Sequence, residues 1–410
     1  MGTYRRINVA SGRSLEKLAH YSRAVRVGDM VLQSGTTAID RQGAVRGVGD
    51  VGKQVDTIMA IAESSMGKAG GRLDDVVRSR IYVTDAAVAD QALRTLAKYF
   101  RDVRPAATLI QVNQLARPEQ LVEIELDAVD GAKQTARRIS SGRPTEEQYA
   151  YSRVVRVGDR VFVSGTTALD SRGVVAAKGD LAGQTRETMA TIAHALEQAG
   201  AAAGDLVYTK TFLTEAALAR SGDYTRAWLD ALDAVRPVST LLGIPALLHP
   251  DMLIEIEAEA IIGASRTRRD IYTQQGREHP RGYARAVEVG DWIYVSGCTA
   301  LNAAGEVQGA GDWAAQYALT HDTIRWTLDQ AGATLDDVVR RRTFNVVGAD
   351  VRPYGELSPY YAKSGPASLG CRIAGLARAE LLVEVEVMAV KGAHANIEWI
   401  APDAVDVLDR

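Results

Sequence analysis

Along this chain, short alternating apolar runs give way to apolar positions at helical spacing, and the sequence of patterns is traversed three times. In the first pass, residues 24–27 and 30–34 read as two strands around the turn Gly28-Asp29. Asp50 then reads as the N-cap of a helix running to about residue 69, with Val55, Ile58, Met59 and Ala62 on one side and Gly70-Gly71 ending it. Residues 76–83 read as a strand and 87–100 as a second helix, and Arg104-Pro105 breaks the chain. Residues 107–112 and 121–128 supply two more strands. The order ββαβαββ predicts an α+β layer, with helices against a largely antiparallel sheet.

The passes are copies. YSRAVRVGDMVLQSGTT at 21–37 returns as YSRVVRVGDRVFVSGTT at 151–167 and as YARAVEVGDWIYVSGCT at 283–299. A period of about 130 residues means repeated small domains rather than a solenoid. Each copy has a Gly-Arg pair before this stretch (Gly12-Arg13, Gly142-Arg143, Gly276-Arg277). Each has a Gly-Asp after it, with a Gln four residues past the Asp (Gln54, Gln184, Gln316). Each closes on Glu-x-Glu: Glu123/Glu125, Glu255/Glu257, Glu384/Glu386. The expected domains are residues 1–132, 133–264 and 265–393, with linkers at 131–136 and 263–268 and a tail, 394–410, outside the repeat.

Strand parity sorts the last two strands of each copy by face. Ile110 and Val112, Leu242 and Ile244, and Cys371 and Ile373 are expected to face the helices. The opposite face would carry Ala107, Leu109 and Gln111; Ser239, Leu241 and Gly243; Ser368, Gly370 and Arg372. Glu123 and Glu125 share one face of the closing strand, and Val122 and Ile124 the other. Three mixed faces bearing carboxylates are expected to pack around a pseudo-threefold axis, so that one chain does what a homotrimer does with three.

A hydrophobic share of 46% and a charged share of 24% fit a globular chain with ordinary cores. A net charge of −3 argues against general nucleic-acid or membrane-surface binding. No apolar run approaches ~18 residues, and MGTYRRINVASGR has no apolar signal core. Cys298 and Cys371 both lie in the third copy, which excludes a disulfide framework and sets a cytoplasmic expectation.

The six histidines are scattered, so no metal site is expected. The G-x-G-x-x-G at 47–52 follows a hairpin rather than the first strand of a βαβ unit, and reads as a helix start. Ser34, Ser164 and Ser296 recur without a recurring His or Lys, which leaves a serine nucleophile unsupported. The glutamates are better candidates, because a carboxyl on a partly apolar face has a raised pKa suited to acid–base work. Cys371 reads as a small core residue. Cys298 stands where the other copies have Thr36 and Thr166, beside Ser296-Gly297. Arg372, on the carboxylate-bearing face, calls for an anionic partner: Glu384, Glu386 or a ligand.

These residues resemble the RidA/YjgF family of reactive-intermediate deaminases over about residues 5–392. The motifs are Tyr-x₁₂-Ser-Gly, the Gly-Asp…Gln helix opening, and closing segments such as RPAATLIQVNQLARPEQLVEIE from Arg104. The resemblance implies three chorismate-mutase-like domains forming a pseudo-trimeric barrel with helices outside and clefts between units. It implies cofactor-independent hydrolysis of 2-imino or 2-enamino acids to 2-oxo acids and ammonia. In that family an arginine on the penultimate strand grips the substrate carboxylate, a glutamate positions water, and the Ser-Gly backbone and a Tyr from the neighbouring unit shape the pocket. The glutamate falls on Glu123, Glu255 and Glu384. The binding positions fall on Tyr21, Tyr151 and Tyr283, with Ser34-Gly35, Ser164-Gly165 and Ser296-Gly297. The arginine position holds Ala107, Ser239 and Ser368 instead, which puts simple 2-imino acids in question.

The resulting expectation is an enzyme acting on a small imine, enamine or related reactive intermediate in a metabolic or biosynthetic pathway. The alternatives are a cyclase or tautomerase using the same glutamates, and a non-catalytic small-molecule binder. The third copy, with Glu384, Arg372 and Cys298, is expected to hold the working cleft. No cofactor, nucleic acid or membrane is expected, and the chain should be a monomeric pseudo-trimer or a dimer of these.

Overall fold

The computed structural model describes residues 4–409 apart from Ser171, Gln275, Arg277 and residues 352–358. Arg277 of the third Gly-Arg pair therefore lies outside the described residues. Repeat 1 contains β1 (Arg6–Val9), β2 (Ala24–Val27), β3 (Met30–Thr36), β4 (Val76–Val83), β5 (Ala106–Gln111) and β6 (Val122–Val129). Repeat 2 contains β7 (Arg137–Ile139), β8 (Val154–Val157), β9 (Arg160–Thr166), β10 (Leu206–Thr214), β11 (Val238–Ile244) and β12 (Ile254–Ile261). Repeat 3 contains β13 (Arg269–Ile271), β14 (Ala286–Val289), β15 (Trp292–Cys298), β16 (Val338–Val346), β17 (Ala367–Ile373) and β18 (Val383–Val390). Each sheet thus gains a strand ahead of the first hairpin, β1, β7 or β13, that the ββαβαββ pattern does not contain. All ladders within a repeat are antiparallel except β4/β5, β10/β11 and β16/β17, which are parallel.

The long helices Val51–Lys68, Leu181–Ala199 and Trp313–Gln330 start where the Gly-Asp pairs predict. Asp50, Asp180 and Asp312 accept the N–H of Lys53, Gly183 and Ala315 at 3.1, 2.9 and 3.1 Å. The recurrent Gln ties each helix to the closing strand. Gln54, Gln184 and Gln316 each accept the N–H of Leu121, Leu253 and Leu382 at 2.8 Å. Val55, Ile58, Met59 and Ala62 pack against the repeat 1 sheet, fully buried.

The face assignment of the penultimate strands is corrected. Ile110, Val112, Leu242, Ile244, Cys371 and Ile373 do not face the helices; they form one cluster from all three repeats, together with Tyr82, Phe212 and Phe344. Leu109 belongs to the helix-side core of repeat 1, and Leu241 packs on that of repeat 2. Register is the reason: Arg80 pairs with both Thr108 and Glu125, so Thr108 and Ile110 share the carboxylates' face. Glu123 and Glu125 do lie opposite Ile124, which is in the helix-side core.

The three open sheets stand around a common core, and no continuous ladder among the described residues closes them into one barrel. They join at three seams by equivalent bonds. At the 1–2 seam, Ser152 N–H meets Pro105 O at 3.0 Å and Ala107 N–H meets Ser164 Oγ at 2.8 Å. At the 2–3 seam the pairs are Ala284 with Pro237 (3.2 Å) and Ser239 with Ser296 Oγ (2.9 Å). At the 3–1 seam they are Ser22 with Pro366 (3.1 Å) and Ser368 with Ser34 Oγ (2.7 Å).

Buried charges on the axis join the repeats in the same cyclic order. Arg80 of repeat 1 donates to Glu257 of repeat 2 at 2.8 Å. Lys210 of repeat 2 reaches Glu386 of repeat 3 at 2.7 Å, and Arg342 of repeat 3 donates to Glu125 of repeat 1 at 2.8 Å. The cations hold Glu125, Glu257 and Glu386 below the usual carboxylate range against the upward push of burial.

The tail, which the sequence left unplaced, folds back on repeat 1. Strand β19 (Ile397–Ile400) pairs in parallel with β1, and Lys68 and Arg13 reach Asp403 (2.9 Å) and Asp406 (3.3 Å).

Candidate active site at the seams

Each seam is assembled from one conserved-looking set of parts in this chain. The ladder between the closing strand and β3, β9 or β15 slips at Ser34-Gly35, Ser164-Gly165 and Ser296-Gly297, a bulge in each copy. The glycine is needed for space. A Cβ on Gly35, Gly165 or Gly297 would lie 2.2, 1.9 or 1.7 Å from Oε1 of Glu123, Glu255 or Glu384. The serine hydroxyl donates to the carbonyl of Ser22, Ser152 or Ala284 at 2.6 Å and accepts the seam N–H described above. These serines are seam clasps rather than free nucleophiles.

An arginine two residues after the recurrent Tyr holds the bulge. Arg23, Arg153 and Arg285 donate to Gly35, Gly165 and Gly297 O at 3.0, 2.9 and 2.9 Å, and pair with Glu16, Glu146 and Glu278. Sequence reasoning passed over this pair, although the Arg recurs in every copy. Tyr21 accepts from Arg23 at 2.8 Å, and burial raises its pKa to about 12. Tyr21 lines the same cleft as Glu123 of its own repeat. The family-based expectation of a Tyr from the neighbouring unit is thus corrected: β2 and β6 belong to one sheet, and the neighbour supplies the penultimate strand instead.

Glu123, Glu255 and Glu384 are buried, and burial raises each pKa to about 8, so the carboxyls are largely protonated near neutrality. The Glu123 carboxyl accepts no hydrogen bond among the described residues. The two halves of Glu-x-Glu therefore differ by environment: the first faces a seam and the second a cluster of cations.

The seams part company in what surrounds the glutamate. Thr108 gives its hydroxyl to Glu257 (2.8 Å) and takes the Gly165 N–H (3.1 Å); Thr240 does the same for Glu386 (2.6 Å) and Gly297 (3.2 Å). The 3–1 seam has Leu369 there, which offers Gly35 no acceptor. On the adjoining middle strand, Ser79 and Thr209 become Arg341, directly opposite Ser368 in the β16/β17 register. Arg341 is buried, donates to Ser368 Oγ at 2.8 Å, and lies over the Tyr361 ring at 5.0 Å. It has no carboxylate partner among the described residues. A cavity of about 110 Å³ opens at this seam, with Glu123, Gly35, Tyr21, Arg341 and Ser368 in its walls.

Cys298, Arg372 and Glu384 do not meet. Glu384 and Cys298 belong to the 2–3 seam side, whereas Arg372 is on β17 at the 3–1 seam. Cys298 sits in the helix-side core and receives Arg285 Nη1 at 3.4 Å, as Thr36 and Thr166 receive Arg23 and Arg153. Arg372 donates to Ala349 O at 3.0 Å, and its backbone bonds Gln114 of repeat 1. The sequence reading missed Arg341, because only the register shows that it stands beside the vacated arginine position. Among the described residues no group of three His, Cys, Asp or Glu could hold a metal, and no helix is long and apolar enough to cross a membrane.

Three α+β repeats with a Ser-Gly bulge over a buried glutamate define a class of small-molecule clefts between domains. The endoribonuclease L-PSP family model matches residues 11–130, 143–262 and 277–391. The chain belongs to this family, known also as RidA/YjgF, as three tandem copies. An uncharacterized protein of Streptomyces coelicolor is 35% identical over 132 residues, 32% of this chain and 96% of that one. The 3-aminoacrylate deaminase RutC of Acinetobacter baylyi is 33% identical over 107 residues, 26% of this chain and 84% of its own. Among solved structures, a chorismatase aligns with TM-score 0.50 at 16% identity, covering 77% of this chain and 93% of its own; this likeness is one of fold.

Proposed function

We propose that this protein is a cofactor-independent deaminase of a small imino or enamino acid, working at the 3–1 seam with Glu123 and Arg341. The observation that carries the reading is the position of Arg341. The family's carboxylate-gripping arginine is replaced by Ser368 at this seam, and Arg341 brings a guanidinium beside that position from the next strand, with its fork free of any carboxylate among the described residues. A buried guanidinium in that state suits a bidentate ligand carboxylate.

Glu123 supplies the acid–base function. Its carboxyl, protonated below about pH 8, donates to the imine nitrogen, or to the enamine carbon to give the imine. The resulting carboxylate takes a proton from water as the water oxygen attacks C2. The reprotonated Glu123 carboxyl then gives its proton to the carbinolamine nitrogen, the C–N bond breaks as ammonia leaves, and the hydroxyl proton passes back to Glu123, leaving the 2-oxo acid. Arg341 holds the substrate carboxylate throughout, and Leu369 leaves the Gly35 N–H without the hydroxyl acceptor that threonine provides at the other seams. The relationship to a 3-aminoacrylate deaminase supports this class of chemistry.

The test couples an amino-acid oxidase to ammonia release. Wild-type protein should accelerate release, and Arg341→Ala should raise KM at least tenfold, whereas Arg372→Ala should leave it near wild type. No acceleration over the uncatalysed rate with any imino acid would overturn the deaminase reading in favour of a binder.

A further inference from the structure

The cavity at the 3–1 seam runs past Arg341 to the underside of helix Trp313–Gln330. Its repeat 3 floor is Thr343 and Asn345, where repeat 1 has Ile81 and Val83 and repeat 2 has Thr211 and Leu213. In repeat 2 the corresponding Thr211 hydroxyl is bonded to the buried Tyr224 hydroxyl at 3.1 Å. The wall in repeat 3 is Trp313 and Tyr317, stacked at 4.7 Å with 15° between planes, at the helix positions of Val51 and Val55 in repeat 1. The Trp313 indole N–H donates to Asn345 Oδ1 at 2.8 Å, which fixes both side chains. That bond occupies the oxygen of the Asn345 amide. Its Nδ2 and the Thr343 hydroxyl make no hydrogen bond among the described residues, and both residues line the cavity.

We infer that the substrate carries, beyond its carboxylate, a planar unsaturated ring with an oxygen substituent, seated against Trp313 and Tyr317 and bonded by Asn345 or Thr343. The inference rests on the carboxylate lying at Arg341, as proposed above. A flat ring matches a flat, rigid aromatic wall better than a branched aliphatic group does. The unfilled donors would be left without partners by a purely hydrocarbon group, so they select for an acceptor.

Stable 2-oxo acids, the product class, separate this inference from the reaction itself. Calorimetric titration of the full-length protein with 4-hydroxyphenylpyruvate, phenylpyruvate, 4-methyl-2-oxopentanoate and pyruvate should give affinity falling in that order. The ring acids should bind at least tenfold tighter than pyruvate. Trp313→Leu should erase the ring advantage and leave pyruvate within about twofold. Equal binding of 4-methyl-2-oxopentanoate and phenylpyruvate would overturn the inference, as would absence of binding by all four; should Trp313→Leu not fold, the wild-type series alone still decides. A ring preference without ammonia release from any imine would sink the deaminase reading and keep the ring site. Ammonia release with a preference for pyruvate would do the reverse.

Discussion

The 2–3 seam and the 3–1 seam are made from the same parts in the same places, and they differ in what surrounds the glutamate, with a cavity at the 3–1 seam. Both have a Ser clasp, a Gly bulge and a buried glutamate with a pKa raised to about 8. At the 2–3 seam, Thr240 bridges the Gly297 N–H and the axial Glu386, while the Thr211 hydroxyl is bonded to that of Tyr224. At the 3–1 seam, Leu369 makes neither bond, and Arg341, Thr343 and Asn345 line a cavity. The glutamate is thus a property of the scaffold. What differs is the company it keeps: one pair of substitutions on adjoining strands, Thr to Leu and Thr to Arg, exchanges a threonine-bridged seam for one whose arginine has no carboxylate partner among the described residues.

The sharpest way to break this comparison is to remove the glutamates one at a time. Glu123→Gln keeps the shape and loses the transferable proton, so ammonia release should fall about 10³-fold, in the range for a lost acid–base group. Glu255→Gln and Glu384→Gln should each stay within about twofold. Equal losses at all three would mean three working seams, and the asymmetry of Arg341 would then have no catalytic meaning.

The axis is where the seams should not differ. Arg80 makes ion pairs with the buried Glu257 (2.8 Å), Glu125 (2.9 Å) and Asp127 (2.9 Å) and with the partly buried Glu259 (3.0 Å). Arg80→Met leaves those carboxylates short of a cation and should cost about 3–5 kcal/mol, read from the denaturant midpoint. Activity per folded molecule should persist, because the axis lies behind the site. An unchanged midpoint would show that Arg78, Lys210, Arg340 and Arg342 neutralise the cluster without it.

Much of this was legible in sequence, and the failures have a common cause. The Asp caps, the Glu-x-Glu alternation and the repeat itself depend on local pattern, and they survive folding. The face of the penultimate strand does not, because both of its faces are buried: Leu109 meets the helix-side core and Ile110 the axial one. Alternation cannot rank two apolar faces. Arg341 was invisible for a related reason, since its importance comes from the residue beside it in the parallel ladder, 27 positions away. The tail carries no repeat pattern, and its partner strand β1 is itself outside the ββαβαββ pattern.

The raised glutamate pKa values sharpen the comparison through stability. A carboxyl that titrates at about 8 in the fold and at 4.5 otherwise binds its proton more tightly when folded. The unfolded chain ionises first, so this group's contribution to stability is full below pH 4.5 and declines as pH rises toward 8. Glu255→Gln removes that decline at a seam proposed to be idle. Its unfolding free energy should match wild type near pH 4.5 and exceed it increasingly up to pH 8, by at most about 1.4 kcal/mol per pH unit in between. A gap that does not change with pH would mean that Glu255 is ionised in the native protein.

The smallest effect concerns the one seam without a covalent linker. Repeats 1 and 2, and 2 and 3, are joined through short helices at Ala132–Thr135 and Ala264–Thr267, whereas repeats 3 and 1 meet through space. The tail leaves repeat 3 and adds β19 to the repeat 1 sheet, then presents Asp406 to Arg13. Arg13 is buried and lines the cavity; among the described residues its counterpart Arg143 donates to the Leu169 carbonyl, at 2.7 Å, and has no carboxylate partner. The Arg13–Asp406 contact is long, 3.3 Å, so Asp406→Asn should lower stability by only about 1 kcal/mol. Because Arg13 lines the cavity, the same change should raise KM about two- to threefold with kcat unchanged. A drop in stability with KM unmoved would make the tail a clasp for the ring and nothing more, and the 3–1 seam would then owe its difference to Leu369 and Arg341 alone.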